Sequence, residues 1–299
     1  MDLPSHISML STHLKEKWGS RVHKVSVNAA FTCPNRDGTK GIGGCTFCNN
    51  SSFSPNSTTL ASVRDQILAG QAVIRRRTHA TRFMAYFQSY TNTYADLETL
   101  RALYHQALSV EHVIGLSVGT RPDCVPDAVL DLLAGIRDQG KEVWLELGLQ
   151  SAFDESLIRV NRGHGFAEYE DAAKRAQKRG LQICTHFIVG LPGECPSHSL
   201  DSLDRVLALG TQGVKIHPLH VVKGTQLARQ WKQGAYEPIS EDQYIETVVA
   251  MLRRLPKSVL VHRLTGTAST DLLLAPEWCS KKWRILNAIG EAMQHSQTA

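Results

Sequence analysis

The chain alternates short apolar segments with longer segments that have the periodicity of amphipathic helices. Six near-continuous apolar runs have the length and residue types of strands that are covered by helices, and they predict parallel β-strands. The predicted strands are residues 23–31, 82–89, 112–120, 142–150, 182–190 and 213–222.

Helical periodicity fills the segments between these strands, at residues 60–77, 94–109, 126–139, 166–179 and 198–209. Gly140, Gly180 and Gly210 each follow a predicted helix, where a glycine in the left-handed conformation commonly ends it. Six strand–helix units in succession predict an α/β fold, and specifically a partial (β/α)6 TIM-type barrel with parallel strands.

The pattern changes after about residue 225. We expect residues 1–225 to form the barrel with a short leading helix at residues 1–18, and residues 226–299 to form a small C-terminal α/β extension. The extension begins with a turn-rich connector, in which Ser240 and Gln243 have the spacing of a helix capping box. A helix to about Arg254, a strand at 259–263 and a last helix at about 279–293 follow. This extension is expected to close the barrel or to shape a substrate channel.

The composition is that of an ordinary globular protein. Hydrophobic residues make up 42% of the 299 residues and charged residues 20%, so a sizeable core needs no disulfides. No apolar run approaches the ~18 residues of a membrane span, and we identify no secretory signal. Seven cysteines with no disulfide-framework spacing favour a reducing, cytoplasmic compartment.

The net charge of +5 comes from scattered basic clusters. Such clusters are typical of solvated helix faces, and the alternative is a footprint for an anionic partner such as RNA. No signature of an RNA-binding module accompanies them. Charge alone therefore does not decide between these two interpretations.

Polar residues concentrate directly after the predicted strands. Gln88, Ser89 and Tyr90 end the second strand, Gln150 ends the fourth, and Gly190 opens the loop after the fifth. The carboxyl ends of barrel strands meet at one mouth, where barrel enzymes have their active sites. We therefore expect one large site at that mouth.

The loop after the first strand has the densest chemistry, in the run FTCPNRDGTKGIGGCTFCNN at residues 31–50. Cys33 precedes a CxxC pair formed by Cys45 and Cys48, with Phe47 between them. Three converging thiolates suit a metal centre with one open position, and iron–sulfur clusters are held by cysteine thiolates. The alternative is a zinc-binding adaptor protein, with a closed site of three cysteines and one histidine. A closed structural site does not require polar strand ends at one mouth, which argues against that alternative.

This loop resembles the cluster loop of radical S-adenosylmethionine (SAM) enzymes, with a wider first gap than the common CxxxCxxC. The likeness extends over nearly the whole chain, which resembles the YhcC/YtqA group of radical SAM proteins. The segments similar to the radical SAM core of the Elongator catalytic subunit are GTRPD, ELGLQSAFDESLIRVNRGH, GLPGE and KGTQLARQWKQGAYEP.

The resemblance implies a [4Fe–4S] cluster on Cys33, Cys45 and Cys48, with SAM bound to the fourth iron. An electron from a donor such as flavodoxin or ferredoxin would cleave SAM to methionine and a 5′-deoxyadenosyl radical. That radical would abstract a hydrogen atom from a substrate. The Elongator-like core indicates tRNA, at a wobble-uridine side chain. A small metabolite or a protein side chain is the alternative substrate.

The resemblance also implies residues that hold SAM. Phe47 matches a residue at the adenine, Gln150 one that bonds the ribose, and Arg162 one that pairs with the methionyl carboxylate. His186 stands where some relatives have a ribose-binding acid, and in relatives the loop of Gly190 cradles the adenine. A core histidine or a surface arginine is the alternative for His186 and Arg162.

Gln88, Ser89 and Tyr90 stand where other family members have a glycine-rich segment at the SAM amino group, although the glycines are absent here. Glu146 is expected to point into the barrel and to have a partner, or to bind SAM or substrate, because an unpaired buried carboxylate is costly. Cys279 is a candidate catalytic thiol, and ordinary packing is the alternative.

Overall fold

The computed structural model describes residues 7–49 and 61–295. Its strands are β1 (Val22–Val27), β2 (Arg82–Phe87), β3 (Val113–Thr120), β4 (Glu142–Gln150), β5 (Gln182–Val189), β6 (Gly213–Pro218), β7 (Val221–Val222), β8 (Leu260–Arg263) and β9 (Leu273–Ala275). Seven of them form a parallel sheet in the order β1-β2-β3-β4-β5-β6-β8. β7 and β9 pair separately and antiparallel.

The helices lie mostly between the strands of the sheet, as the alternating pattern predicts. They are α1 (Leu10–Trp18), α2 (Val63–Thr78), α3 (Leu97–Leu108), α4 (Asp127–Asp138), α5 (Asp154–Arg159), α6 (Phe166–Lys178), α7 (Pro196–Ala208), α8 (Gln226–Lys232), α9 (Glu241–Arg254) and α10 (Lys282–His295). The predicted positions 1–6 of the leading helix and position 60 of the second lie outside the described residues. No described helix has both the length and the apolarity that crossing a membrane requires.

The local stop and start signals work as expected. Gly140, Gly180 and Gly210 have φ values of 80°, 67° and 75°, which end α4, α6 and α7 in the left-handed region. At the start of α9, the hydroxyl of Ser240 accepts a hydrogen bond from the backbone N–H of Gln243 at 3.2 Å.

The parallel sheet curls into an open barrel. Lys215 Nζ on β6 donates to the hydroxyl of Tyr86 on β2 at 2.8 Å. These strands are four positions apart in the sheet, and a flat sheet would separate them by ~19 Å. Their side chains can meet only because the sheet closes around an interior. This confirms the predicted α/β fold of a partial TIM-type barrel.

Two parts of the predicted strand pattern need correction. The strand predicted at 213–222 is two strands, because Pro218 has no N–H for the ladder and the chain turns there. The short strand at 259–263, which we assigned to the C-terminal extension, is β8 and pairs in parallel with β6 as a seventh barrel strand. The helices α5 and α8 were not predicted. The division at residue 225 stays a prediction.

An apolar plug closes the end of the barrel opposite the strand carboxyl ends. Leu10 and Leu14 of α1 pack against Met84, Trp144 and Cys184, which lie in the first halves of their strands and point inward. The plug keeps water from the lower interior.

Candidate functional site

A cleft of about 280 Å³ lies at the mouth formed by the carboxyl ends of the strands. The predicted site residues that line it are Cys33, Cys45, Phe47, Cys48, Gln88, Tyr90, Gln150, Arg162 and His186. They come from the loops or ends of four different strands and from the turn after α5. The fold therefore brings nine separately predicted residues to one place.

The cysteine loop is held by backbone hydrogen bonds. The N–H groups of Arg36 and Asp37 donate to Cys33 O at 2.8 and 3.2 Å, and Cys48 N donates to Cys45 O at 3.0 Å. Two further hydrogen bonds fix the loop to the end of α5. Thr46 N donates to Val160 O at 3.0 Å, and Asn161 Nδ2 donates to Gly44 O at 2.9 Å.

Hydrogen-bond donors point at the sulfur of Cys45. Arg162 Nη1 lies 3.5 Å from Cys45 Sγ, and Asn35 Nδ2 lies 3.9 Å from it. Burial, and then the neighbouring Cys45, raise the pKa of Cys48 to about 11. A bound metal deprotonates coordinating thiols outright, and the arginine beside Cys45 stabilises the resulting negative charge.

The three cysteine thiols lie together at the cleft. The structure describes no disulfide that involves them, and all three line the same cleft. Over residues 7–49 and 61–295, no three His, Cys, Asp or Glu side chains are grouped closely enough to hold one metal ion. A zinc site needs its ligands within ~2.3 Å of one ion. In a [4Fe–4S] cluster each cysteine binds a different iron, so the sulfurs lie further apart.

The ends of β2 and β4 have unusual backbone conformations at the cleft. Tyr90 and Gln150 have φ values of 62° and 81°, a region that side chains other than glycine rarely adopt and that clusters at functional sites. Gly148 stands two residues before Gln150 and also lines the cleft. A Cβ at Gly148 would lie 2.7 Å from Arg162 Nη2 and 3.1 Å from Gln150 Nε2, so a glycine here leaves room for both side chains.

Arg162 is buried between the cysteine loop and β4. Its Nη2 donates to Gly148 O at 2.5 Å, and its Nε is buried with no hydrogen-bond partner in the described part of the chain. A buried unpaired donor is costly, so this atom is suited to a ligand that the cleft would take up. The methionyl carboxylate is the ligand that the resemblance implies.

Arg121 was not among the predicted site residues, although its motif GTRPD was noted. It lines the cleft, and its Nη1 donates to Arg162 O at 2.8 Å. Its Nε and Nη2 bond Asp123 at 2.9 and 3.0 Å. Burial alone would raise the pKa of Asp123, but the hydrogen bonds and charge of Arg121 lower it to about 2. Arg121 therefore positions the chain at Arg162.

Glu146 points into the barrel, as expected, but it lies below the cleft and is not on its wall. Lys24 Nζ is 2.6 Å and His186 Nε2 2.8 Å from its carboxylate, which Lys215 and Ser117 also contact. Burial favours the neutral acid, but the two ammonium groups bring the pKa of Glu146 well below its ordinary value. It has the partner that was predicted for it.

Three other predicted residues lie away from the cleft wall. Ser89 is buried beside it. Gly190 lines a neighbouring cavity, where its carbonyl accepts a hydrogen bond from the Tyr236 hydroxyl at 2.8 Å. Cys279 is 1% exposed, and burial raises the pKa of its thiol to about 12. Their functional roles stay predictions.

Sequence reasoning missed a group of basic side chains on the far wall. His217 lies near the end of β6, His220 lies two residues after that strand, and Arg263 is the last residue of β8. The spacing of these two histidines in the sequence is not that of a metal site. Arg263 was missed because β8 was placed in the extension, and a four-residue strand has too short a pattern to reveal which strand it pairs with.

Comparison with known proteins agrees with this geometry. Residues 32–206 match the sequence profile of the Radical SAM superfamily, and residues 211–295 match that of the Radical SAM C-terminal domain. The first match alone covers more than half of the chain. The chain belongs to the radical SAM superfamily. As a member of this superfamily, the chain is an enzyme.

Two relatives cover nearly the whole chain. Protein YhcC of Escherichia coli (strain K12) is 48% identical over 283 residues, which are 95% of this chain and 91% of YhcC. Protein YtqA of Bacillus subtilis (strain 168) is 37% identical over 293 residues, 96% of this chain and 89% of YtqA. The resemblance to the YhcC/YtqA group is thereby confirmed.

More distant similarities cover parts of longer proteins. The tRNA uridine(34) acetyltransferase of Methanocaldococcus infernus is 27% identical over 154 residues, 50% of this chain and 28% of that protein. The solved structure of archaeal Methanocaldococcus infernus Elp3 with an N-terminal deletion superimposes with a TM-score of 0.64. It is 19% identical, and the match covers 90% of this chain and 63% of that chain. This likeness shows a shared fold.

Membership of the radical SAM superfamily implies a [4Fe–4S] cluster and SAM. The residues around the cleft fit both groups. Three cysteine thiols line one wall, and an arginine with a buried N–H that has no hydrogen-bond partner in the described part of the chain lies beside them.

Proposed function

We propose that this chain binds a [4Fe–4S] cluster through Cys33, Cys45 and Cys48, binds SAM in the same cleft, and removes a hydrogen atom from a substrate. The observation that carries the proposal is that these three thiols share one cleft with Arg162 and Gln150. When bound, the reduced cluster supplies the electron that cleaves SAM to methionine and a 5′-deoxyadenosyl radical. A one-electron donor such as flavodoxin or ferredoxin is the expected partner.

The chain's own residues bind and orient SAM in this proposal. Arg162 pairs its free N–H with the methionyl carboxylate, since a guanidinium fork suits that planar anion. Gln150 donates to the ribose, and Phe47 packs on the adenine from its place between two cysteines. Arg162 also donates to Cys45 Sγ.

We propose tRNA as the substrate, with modification of a wobble-uridine side chain. The support is the similarity to a protein named tRNA uridine(34) acetyltransferase over half of this chain. A cleft lined by Arg36 and Arg263 is also electrostatically suited to an anionic polymer.

Two experiments test these proposals separately. Anaerobic reconstitution with iron and sulfide should give a brown protein that produces 5′-deoxyadenosine from SAM on reduction. A colourless protein that binds one zinc ion would contradict the cluster proposal. Nucleoside profiling of tRNA from cells with and without the gene should reveal a changed uridine derivative. Identical profiles would remove tRNA as the substrate and leave the cluster proposal intact.

A further inference from the structure

The barrel interior beneath the cleft holds more positive than negative charge. The ammonium groups of Lys24 and Lys215 both pair with the carboxylate of Glu146. The three side chains are 23%, 5% and 0% exposed. A buried charge without an opposite partner is costly, and two ammonium groups on one carboxylate leave one positive charge uncompensated.

The charged form of Lys24 is disfavoured in this interior. Burial lowers the pKa of Lys24, and Lys215 lowers it further, although Glu146 acts in the opposite direction. The histidines that touch the network are also kept neutral, since burial and then Lys215 lower the pKa of His186 to about 4. An anion arriving nearby would relieve both effects.

The surplus charge lies directly under the floor of the cleft. Lys215 Nζ donates to the Tyr86 hydroxyl at 2.8 Å and lies 4.2 Å from the centre of the Tyr86 ring. Tyr86 and His186 both line the cleft. The buried network therefore meets the cleft through these two side chains.

A third cation stands on the wall above them. Arg263 lines the cleft, and its guanidinium makes no hydrogen bond or ion pair with any other residue that the structure describes. The ring of His217 beside it also has no hydrogen-bond partner within residues 7–49 and 61–295. Burial, and then Arg263, bring the pKa of His217 well below its ordinary value, so its ring is neutral near pH 7.

We propose that the wall formed by Tyr86, His186, His217 and Arg263 binds a carboxylate or phosphate group of the substrate. The guanidinium of Arg263 offers paired N–H groups to such an anion, and the buried lysines below add an attractive field. The bound anion offsets the charge that Glu146 alone leaves uncompensated. The inference rests on the proposed function only in taking this cleft as the substrate site.

The test is a titration of the full-length chain, reconstituted with iron and sulfide and saturated with SAM, with sodium acetate and with inorganic phosphate. Chloride holds the ionic strength constant, and the thermal midpoint is followed. At least one of the two anions should raise the midpoint saturably in the unaltered protein. Arg263→Gln should raise the Kd for that anion by about 10-fold or more, as loss of a charge-assisted pair predicts.

Two variants sharpen the titration. Lys215→Met leaves Lys24 paired with Glu146, so the protein should fold and still bind the anion more weakly. Arg101→Gln removes an exposed cation of α3, outside the cleft, and should change nothing. The anion that binds more tightly identifies the group of the substrate that occupies the subsite. Tighter acetate indicates a carboxylate on a modified group, and tighter phosphate indicates a phosphate of the nucleic-acid backbone.

The inference is wrong if neither anion acts saturably, or if Arg263→Gln and Arg101→Gln behave alike. It is also wrong if Arg162→Gln abolishes the effect while Arg263→Gln does not, because the anion then occupies the place of the SAM carboxylate. The same titration of unreconstituted protein separates this result from the proposed function. Anion binding by both the unreconstituted and the reconstituted protein, with no SAM cleavage by the reconstituted protein, would retain the subsite and reject the radical chemistry.

Discussion

The guanidinium of Arg162 lies against the sulfur of Cys45, with Nη1 3.5 Å from Sγ, although 117 residues separate the two in the chain. The same guanidinium donates from Nη2 to the carbonyl of Gly148 at the end of β4. Arg162 thus joins the cysteine loop to the strand whose end carries Gln150. A ligand that touches Arg162 is held beside the thiols by this connection.

Replacing Arg162 should therefore weaken SAM binding. We expect Arg162→Met to raise the Kd for SAM by about 10- to 100-fold, as loss of a charge-assisted hydrogen bond predicts. Arg162→Lys should lose less, because it keeps the charge but not the planar fork. Equilibrium dialysis of reconstituted protein measures this. Equal Kd values for Arg162→Met, the surface control Arg101→Gln and the unaltered protein would exclude Arg162 from the SAM site.

Glu146→Gln should destabilise the fold, because it leaves two buried ammonium groups without their carboxylate. Breaking a buried ion pair from one side costs about 3–5 kcal/mol of unfolding free energy. Urea unfolding of the apo protein measures the loss. The matched control is Glu142→Gln, because Glu142 pairs with the half-exposed Lys17 and should lose less.

A double variant separates charge from packing at Glu146. Lys24→Met combined with Glu146→Gln removes one of the stranded ammonium groups, so it should recover part of the lost stability. If the double variant loses as much unfolding free energy as the two single variants Lys24→Met and Glu146→Gln together, the two side chains do not interact in the folded protein.

Stability should fall as the pH decreases from about 6.5 towards 4. Burial lowers the pKa values of His186 and His220 to about 4 and that of His262 to about 3. Below pH ~6.5 these histidines are protonated in the unfolded chain but stay neutral in the folded chain. Each histidine therefore lowers the free energy of unfolding by roughly 1 kcal/mol per pH unit. Glu146, with its lowered pKa, adds a loss at still lower pH.

Urea midpoints at pH 7.5, 6.5, 5.5 and 4.5 check this dependence. His186→Gln keeps a hydrogen-bond donor for Glu146 but cannot titrate, so its midpoint should depend less on pH. A midpoint that stays constant between pH 7 and 5 would mean that these rings are not held neutral in the folded state.

The sequence predicts much of the fold and the cysteine end of the cleft, because both depend on local patterns. The runs that became β2 to β5 show continuous apolar segments, and the cysteines and Arg162 stand in recognisable motifs. The interior network has no such signature. Lys24, Lys215 and His186 lie 122, 69 and 40 residues from Glu146, and only closure of the barrel brings them together.

The basic wall of the cleft shows the same limit. Arg263 ends a strand of four residues, and the pairing of that strand with β6 brings it to the cleft. The conformations of Tyr90 and Gln150 also depend on how neighbouring strands end, since both residues have positive φ without being glycine. Their residue types predicted polar contacts at the mouth but no particular geometry.

If tRNA is the substrate, its binding should weaken steeply with salt. Phosphate contacts release counterions, so an affinity made by several basic side chains falls by orders of magnitude between low and physiological salt. Filter binding of bulk tRNA at 50, 100 and 200 mM KCl, roughly the range over which this effect is large, measures the slope. Arg263→Gln should make the slope shallower by about one counterion. Undetectable or salt-independent binding would remove tRNA as the partner.

The central claim is that Cys33, Cys45 and Cys48 hold the cluster that reduces SAM. The most direct measurement is 5′-deoxyadenosine formed from SAM by dithionite-reduced, reconstituted protein, comparing Cys45→Ala with Cys195→Ala. Cys195 is an exposed free thiol outside the cleft and serves as the matched control. We predict that Cys45→Ala forms no 5′-deoxyadenosine while keeping its fold, and that Cys195→Ala forms as much as the unaltered protein. Undiminished 5′-deoxyadenosine from Cys45→Ala would contradict the claim.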